Sequence, residues 1–187
     1  MKIYGDFLSP FVRMVFVTAH ELGLGDKVQH EKELVSPTKP NPKLTALSPI
    51  GKVPVLETDH GRPVYDSRVI IEYLCHVAGN STIIPDDGVK RFRVLTMQAL
   101  CQGLGDSAVG LRYEVAARPQ GLQWDDWIER TKTRMTATFD DLEHHWEAEK
   151  AEVNAGSIAA AVVLAYIDYR LPDVKWRDGR PQLARFH

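Results

Sequence analysis

A serine lies where the chain passes from a short apolar segment into the first predicted helix, and its hydroxyl could stabilise an anion there. Ser9 follows the segment Lys2–Tyr4 and precedes apolar residues at helical spacing. A hydroxyl that donates a hydrogen bond to a thiolate lowers the pKa of that thiol, and a helix N-terminus favours the same charged form. Ser9 could therefore activate a bound thiol; the alternative is that Ser9-Pro10 only forms a turn.

Backbone groups at Val53 and side chains at Asp66-Ser67 could bind a ligand. A cis Pro54 at the start of a strand would turn the N–H and C=O groups of Val53 outward, where an extended peptide could pair with them. A trans proline at a sheet edge is the alternative. Ser67 opens a second helix and could cap it, or bind a carboxylate while Asp66 pairs with an ammonium.

The elements that must position these residues come in the order β-α-β, then β-β-α, which fits the thioredoxin fold. Apolar residues at helical spacing predict the helices, and the turn Asp59-His60-Gly61 predicts a hairpin. Prolines between residues 36 and 49 favour irregular structure with one helical turn near Leu44. Tyr4 is predicted to be a core residue. The predicted strands lie at 2–4, 28–34, 54–57 and 63–65, and the predicted helices at 12–22 and 67–77.

Beyond residue 78 the pattern is helical. Residues 79–88, with Asn80 and Pro85, predict a linker. Residues 89–117 predict one helix or two, residues 124–146 carry one apolar stripe, and residues 158–169 are apolar nearly all round, as in a buried helix. The sequence thus predicts an α/β thioredoxin-like domain at 1–78 and an all-α helical-bundle domain at 89–187.

Composition and charge exclude several classes of function. The chain is 44% hydrophobic and 26% charged with a net charge of −2, and it has no polybasic block, so neither nucleic acid nor a membrane is expected as a partner. We expect no signal peptide and no membrane span. The histidines are scattered, so no metal is expected. Cys75 and Cys101 are predicted to be buried thiols in a reducing cytoplasm.

Three segments together resemble the cytosolic glutathione transferase family, and in particular bacterial members of the serine type. They are Ser9-Pro10-Phe11-Val12-Arg13, Gly51-Lys52-Val53-Pro54-Val55-Leu56 and Asp66-Ser67, and the resemblance runs through nearly the whole chain. It implies that the first domain binds glutathione as a co-substrate, that no other cofactor is needed, and that the protein is a cytoplasmic homodimer.

The resemblance also implies a part for each candidate residue. Ser9 would hold and activate the sulfur of glutathione as the catalytic residue. Val53 and Pro54 would present the peptide-binding edge, and Asp66 with Ser67 would bind the γ-glutamyl end. Lys39 and Lys52 are candidates for the glycyl carboxylate, with exposed, solubilising lysines as the alternative. The residues predicted to line a pocket for a hydrophobic electrophile are Phe11, Leu104, Arg112 and Tyr113.

The expected function is therefore a glutathione transferase that ionises glutathione for addition to an electrophilic small molecule. A glutathione-dependent isomerase, or a lyase or dehalogenase, on the same fold is one alternative, and a non-catalytic binding protein is another. A cysteine at position 9 would have favoured thiol–disulfide chemistry, and Ser9 disfavours it.

The sequence departs from the family pattern at two places. The family's buried helix begins with Ser/Thr-x-x-Asp, whereas Ser157 is followed three residues later by Ala160, which predicts the loss of a reciprocal cap. The sequence ends at His187, about where a last helix is expected to begin. Because that part of the family's chain often helps to cover the acceptor pocket, the resemblance defines the acceptor pocket less well than the glutathione site.

Overall fold

The computed structural model describes residues 1–79, 82–86 and 88–187. The chain divides into two compact units, Met1–Arg91 and Phe92–His187. The predicted linker at 79–88 includes Asn80, Ser81 and Asp87, which lie outside the described residues. Within the same stretch Ile83, Ile84 and Pro85 are buried. The domain bounds 1–78 and 89–187 stay predictions.

The first unit contains a three-stranded mixed sheet. Its strands are β1 (Lys2–Tyr4), β2 (Gln29–Glu31) and β3 (Val55–Glu57), in the order β2-β1-β3. β1 runs parallel to β2, with Ile3 opposite His30, and antiparallel to β3, with Ile3 opposite Leu56. The parallel pair requires the crossover that the first helix supplies, so the βαβ order predicted from sequence is confirmed.

Three helices accompany this sheet: α1 (Pro10–Glu21), α2 (Pro42–Leu47) and α3 (Ser67–Ala78). A short 3₁₀ turn, Gly25–Lys27, follows α1. The buried faces of α1 and α3 pack against each other, and they carry the apolar residues whose spacing predicted the helices. α3 ends at Gly79, whose φ of 60° is the left-handed conformation that favours glycine. The helical turn predicted near Leu44 is α2.

Two strands are shorter than the sequence predicts. The chain leaves the sheet after Glu31 because the start of α2 binds the next residues: the Asn41 amide donates to the Glu33 carboxylate at 2.9 Å and to the Leu34 carbonyl at 3.1 Å. The strand predicted at 63–65 reduces to a single bridge between Leu56 and Val64, in keeping with the missing N–H of the preceding proline.

The remaining helices are α4 (Gly88–Ala116), α5 (Asp125–His144), α6 (Glu147–Lys150), α7 (Ala155–Arg170) and α8 (Pro181–Phe186). The second unit comprises α4 from Phe92 onward and all the later helices. α4 is one continuous helix, so of the two alternatives predicted for residues 89–117 the single helix is observed, although it contains Gly103, Gly105 and Gly110. Gly110 has a packing reason, since a Cβ there would lie 3.3 Å from the ring of Trp127.

The start of the buried helix α7 corrects the sequence prediction. The N-cap is Asn154, whose Oδ1 accepts from the N–H groups of Gly156 and Ser157 at 2.9 and 3.0 Å. The Ser157 hydroxyl accepts in turn from the Asn154 N–H at 2.9 Å. The reciprocal cap is therefore present, with Ser157 at the third helical position rather than at the cap itself. The prediction of a lost cap was wrong because it placed the helix start three residues late.

Candidate functional site

Ser9 is the N-cap of α1. Its backbone is extended, and its Oγ accepts from the Val12 N–H at 3.4 Å, which is long for a hydrogen bond of this kind. In the part of the chain that the structure describes, the hydroxyl hydrogen of Ser9 has no acceptor. The side chain is only partly buried. A half-exposed hydroxyl at a helix N-terminus can donate to an anionic ligand without breaking an existing donation.

The loop before Ser9 is held by its own hydrogen bonds. The Asp6 carboxylate accepts from the Leu8 N–H at 2.7 Å, and the Asp6 carbonyl accepts from the Ser9 N–H at 2.9 Å. Lys32 pairs with the same carboxylate at 3.4 Å. These contacts hold the backbone of the loop that carries Ser9.

The peptide bond between Val53 and Pro54 is cis, as the resemblance implied. The pairing of β3 with β1 begins only at Val55. Among the described residues neither the N–H nor the C=O of Val53 has a hydrogen-bond partner, while its side chain is buried. The backbone of Val53 thus has the open donor and acceptor that an added peptide strand requires.

Gly5 brings the start of α1 and Val53 together. Its φ is +149°, and a Cβ at this position would lie 2.4 Å from Val12 Cγ2 and 3.2 Å from Val53 Cβ. Val12 and Val53 belong to one buried cluster with Tyr4, Leu44 and Val55, and Tyr65, the residue before Asp66, packs against the same cluster. The structure therefore gathers the three predicted segments around a single core.

Asp66, rather than Ser67, caps α3. Its carboxylate accepts from the Arg68 N–H at 3.0 Å and pairs with the Arg68 guanidinium at 3.2 Å. Its side chain is 48% exposed. Ser67 is the first residue of the helix; it is only 1% exposed and already has a partner within the chain. The carboxylate is accessible to a ligand, whereas a direct contact with Ser67 needs a small opening at the helix start.

The two candidate lysines are both exposed. Lys52 immediately precedes Val53, and Lys39 lies in the irregular segment that Asn41 anchors before α2. The residues that the structure describes include no ion-pair partner for either ammonium group. Both charges are available to an anion, and their assignment to one stays a prediction.

The acceptor-pocket candidates fall in different environments. Phe11 is half-buried on the first turn of α1. On α4, Leu104 is buried, and Arg112 and Tyr113 are half-buried. The two exposed apolar side chains Phe7 and Leu8, at 48% and 46%, directly precede Ser9 and were not among the predicted residues. The signal in the sequence is two large apolar residues in the short predicted loop directly before Ser9.

Tyr4 is buried, as predicted, and is committed to a structural contact. Its hydroxyl donates to the Glu57 carboxylate at 2.5 Å. This hydrogen bond, together with burial, raises the pKa of Tyr4 to about 12. The phenol is therefore not available as a donor to a thiolate.

Neither cysteine is a candidate nucleophile. Cys75 and Cys101 are both buried, and burial raises the pKa of the Cys75 thiol to about 11 and that of the Cys101 thiol to about 12. No group of three or more metal-binding side chains occurs among the described residues. No helix in the ranges that the structure covers is both long and apolar enough to cross a membrane.

Comparison with known proteins identifies the family. The model of the glutathione S-transferase N-terminal domain matches residues 8–77. An uncharacterised GST-like protein of Escherichia coli (strain K12), YibF, is 30% identical to this chain over an alignment of 189 residues. The alignment covers 99% of this chain and 91% of that protein. The chain belongs to the glutathione S-transferase family.

Solved structures agree with this assignment. A glutathione transferase family member from Pseudomonas fluorescens Pf-5 with bound glutathione is 36% identical, has a TM-score of 0.96, and is matched over 99% of this chain and 91% of that chain. A structure with bound S-(propanoic acid)-glutathione, also from Pseudomonas fluorescens Pf-5, is 35% identical, with a TM-score of 0.90 over 100% and 91% of the two chains. The family resemblance and the fold class predicted from sequence are confirmed, and the serine-type subclass stays a prediction.

Proposed function

We propose that this transferase-family protein binds glutathione in its first unit and ionises it for addition to an electrophilic small molecule. The observation that carries the proposal is the Ser9 hydroxyl, whose hydrogen has no acceptor among the described residues and whose position is the N-terminus of α1. A hydrogen bond from this hydroxyl to the sulfur stabilises the thiolate and lowers the pKa of the bound thiol. A thiolate present at neutral pH is the reactive nucleophile.

The reaction then has two steps. The thiol of glutathione releases its proton to solvent, and Ser9 donates to the resulting thiolate while keeping its own proton. The sulfur electron pair next forms a bond to the electrophilic carbon. In a substitution the leaving group departs with the electrons of its bond; in an addition to an activated double bond the adjacent carbon takes up a proton from solvent. Ser9 stabilises the nucleophile in both cases and forms no covalent bond.

Three groups are proposed to hold the rest of glutathione. The open N–H and C=O of Val53 would pair with the cysteinyl part of the peptide as an added strand. The exposed carboxylate of Asp66 would bind the γ-glutamyl ammonium beside Ser67. Lys39 or Lys52 would bind the glycyl carboxylate.

The bound S-(propanoic acid)-glutathione of the Pseudomonas fluorescens structure supports a site that accepts substituents on sulfur. Its thioether has the bond that conjugation forms. In this chain the apolar side chains of Leu8 and Phe11, which flank Ser9-Pro10, would contact such a substituent. We propose a small, partly apolar electrophile as the second substrate.

The first test is replacement of Ser9. Calorimetry should show that the wild type binds glutathione, and ultraviolet titration should give the pKa of the bound thiol. Ser9→Ala should raise that pKa by about 1 and lower kcat about tenfold with little change in affinity, since one hydrogen bond to a charged group is lost. Ser9→Thr keeps the hydroxyl and the helix cap and serves as the matched control.

Three results would contradict the proposal in different ways. A wild type that binds no glutathione would end it. An unchanged thiol pKa in Ser9→Ala would assign activation to another donor. Glutathione binding with a lowered thiol pKa but no turnover of a chromogenic haloarene or an activated alkene would favour the non-catalytic alternative.

We also propose a homodimer, which the family resemblance implies. The arginines Arg91 and Arg93 of α4 pair within the chain, with Glu72 and Glu149, so the proposal does not rest on their charge. What supports association is the pair of exposed apolar side chains Val89 and Phe92, one turn apart on α4, together with the family assignment. Light scattering at micromolar concentration should give twice the 21.1 kDa chain mass. Phe92→Ser should then weaken the dimer, and a wild-type mass of one chain would contradict it.

A further inference from the structure

His30 of β2 contacts two points of the loop that leads to Ser9. Its Nε2 lies 2.7 Å from the carbonyl oxygen of Gly5. Because a carbonyl oxygen can only accept, Nε2 carries the proton and donates. The imidazole also packs against the ring of Phe7, with 4.3 Å between ring centroids, and against the edge of Phe16 at 5.2 Å. One side chain thus holds both the backbone and an aromatic ring of this loop.

Gly5 is the point where the chain turns out of β1. Its N–H donates to the Glu31 carbonyl at 3.0 Å, so β2 holds both polar backbone groups of this residue, one through Glu31 and the other through His30. There is little room for Gly5 to move, because it is packed directly against the side chains of Val12 and Val53. A shift of the Gly5 carbonyl would therefore move the loop against the start of α1.

The rest of the loop transmits the position of Gly5 to Ser9. Asp6 binds the N–H groups of Leu8 and Ser9, and the ring of Phe7 contacts both His30 and Phe16. Among the described residues, the hydroxyl of Ser9 has only its long contact with the Val12 N–H to fix its direction. Its orientation depends on the backbone that carries it, and a shift of about 1 Å in such a group is enough to cost much of its effect.

We propose that His30 is a positioning residue that fixes the Gly5–Ser9 loop and so directs the Ser9 hydroxyl toward the sulfur of bound glutathione. This inference rests on the function proposed above and extends it by a residue that touches neither substrate. The essential feature is the Nε2–H donor to Gly5, and the contact of the ring with Phe7 is secondary.

Two substitutions separate the donor from the ring. His30→Phe keeps a ring against Phe7 and Phe16 but cannot donate to Gly5. His30→Gln keeps an N–H donor at a similar reach from the backbone but has no ring. His60, an exposed histidine in the turn after β3, provides the control His60→Phe, which makes the same chemical change away from the loop.

The decisive readout is the pKa of bound glutathione, measured by ultraviolet titration together with steady-state kinetics. We expect His30→Phe to raise the thiol pKa by about 0.5 and to lower kcat about threefold, with KM for glutathione changed less than about twofold, because only the thiolate contact is misdirected. His30→Gln should recover most of the wild-type pKa. In a Ser9→Ala background His30→Phe should add no further increase, since His30 acts through Ser9.

The outcomes distinguish this inference from the proposed function. If Ser9→Ala raises the thiol pKa but His30→Phe leaves it unchanged, or if the two increases add, His30 does not act through Ser9 and the inference is wrong. If Ser9→Ala itself has no effect, the proposed function fails and the inference with it. A measurement on the wild type is independent of variant folding: nitrogen-15 NMR should show His30 protonated at Nε2, and the neutral Nδ1–H tautomer would overturn the inference.

Discussion

Replacing Asp66 by asparagine separates the negative charge of this residue from its role as the N-cap of α3. The Asp66 carboxylate caps α3 by accepting from the Arg68 N–H, and an asparagine side chain caps a helix equally well. Asp66→Asn should therefore leave the start of α3 intact and remove only the negative charge proposed to bind the γ-glutamyl ammonium. Asp66→Ala removes both.

The size of the effect follows from the exposure of the carboxylate. A hydrogen bond to a charged group contributes about 1.5–3 kcal/mol. Asp66 is 48% exposed and already shares its charge with Arg68, so the lower end applies. We expect Asp66→Asn to raise the Kd for glutathione about tenfold, which is about 1.4 kcal/mol. Asp66→Ala should do the same and, through the lost cap, also lower stability by about 1 kcal/mol, or Tm by about 2–4 °C.

Isothermal calorimetry at low and high salt measures the binding, and thermal unfolding measures the cap. The difference between wild type and Asp66→Asn should shrink at high salt because a half-exposed charge is screened. Arg68→Ala, which frees the carboxylate from its ion pair, should leave the Kd unchanged or lower it. An asparagine variant that binds glutathione as tightly as the wild type would refute the assignment of Asp66 to the ammonium.

Two further predictions concern the first unit and the thiols. Gly5→Ala should lower stability by about 2–3 kcal/mol, because its Cβ would meet Val12 at 2.4 Å and its φ is +149°. Gly61→Ala is the control: its φ is +102°, but no atom of the described residues lies within 4 Å of the added Cβ, so it should cost only about 1 kcal/mol. Equal losses of Tm in the two variants would contradict the packing argument. Burial raises the pKa of Cys75 to about 11 and that of Cys101 to about 12, so both thiols should stay protonated as the pH rises through about 8. They should react with a thiol-labelling disulfide only after denaturation. Rapid labelling of the folded protein would show instead that they are accessible.

Much of the fold could be predicted because its helices depend on local spacing. The apolar stripes of α1, α3 and α5 are periodic over three or more turns, and such patterns identify a helix without knowledge of its partners. The short strands were harder. The end of β2 is set by Asn41, ten residues further on, through its contacts with Glu33 and Leu34, and no local pattern records this.

In the candidate site, too, the residues in local sequence patterns could be predicted, whereas the contacts between distant segments could not. Ser9, Val53 and Asp66 could be proposed because each stands in a recognisable segment. The part of His30 could not be predicted, since its contact with Gly5 exists only once β1 and β2 are paired in register. The capping of α3 by Asp66 was also missed, because both residues of the Asp66-Ser67 pair are good N-caps and the sequence alone does not say which one is used.

The contribution of the α7 cap to stability does not depend on pH. Many helices begin with a carboxylate, which loses its charge and part of its capping strength in acid. Here the two reciprocal acceptors are the amide oxygen of Asn154 and the hydroxyl of Ser157, and neither group titrates in water. This helix start therefore takes up no proton when the protein unfolds and adds no slope to the dependence of stability on pH. The pH dependence of the second unit's stability comes instead from carboxylates such as Asp168. Its bidentate contact with Arg177 holds the pKa of Asp168 below its usual value, so the stability that this contact contributes is lost as the pH falls.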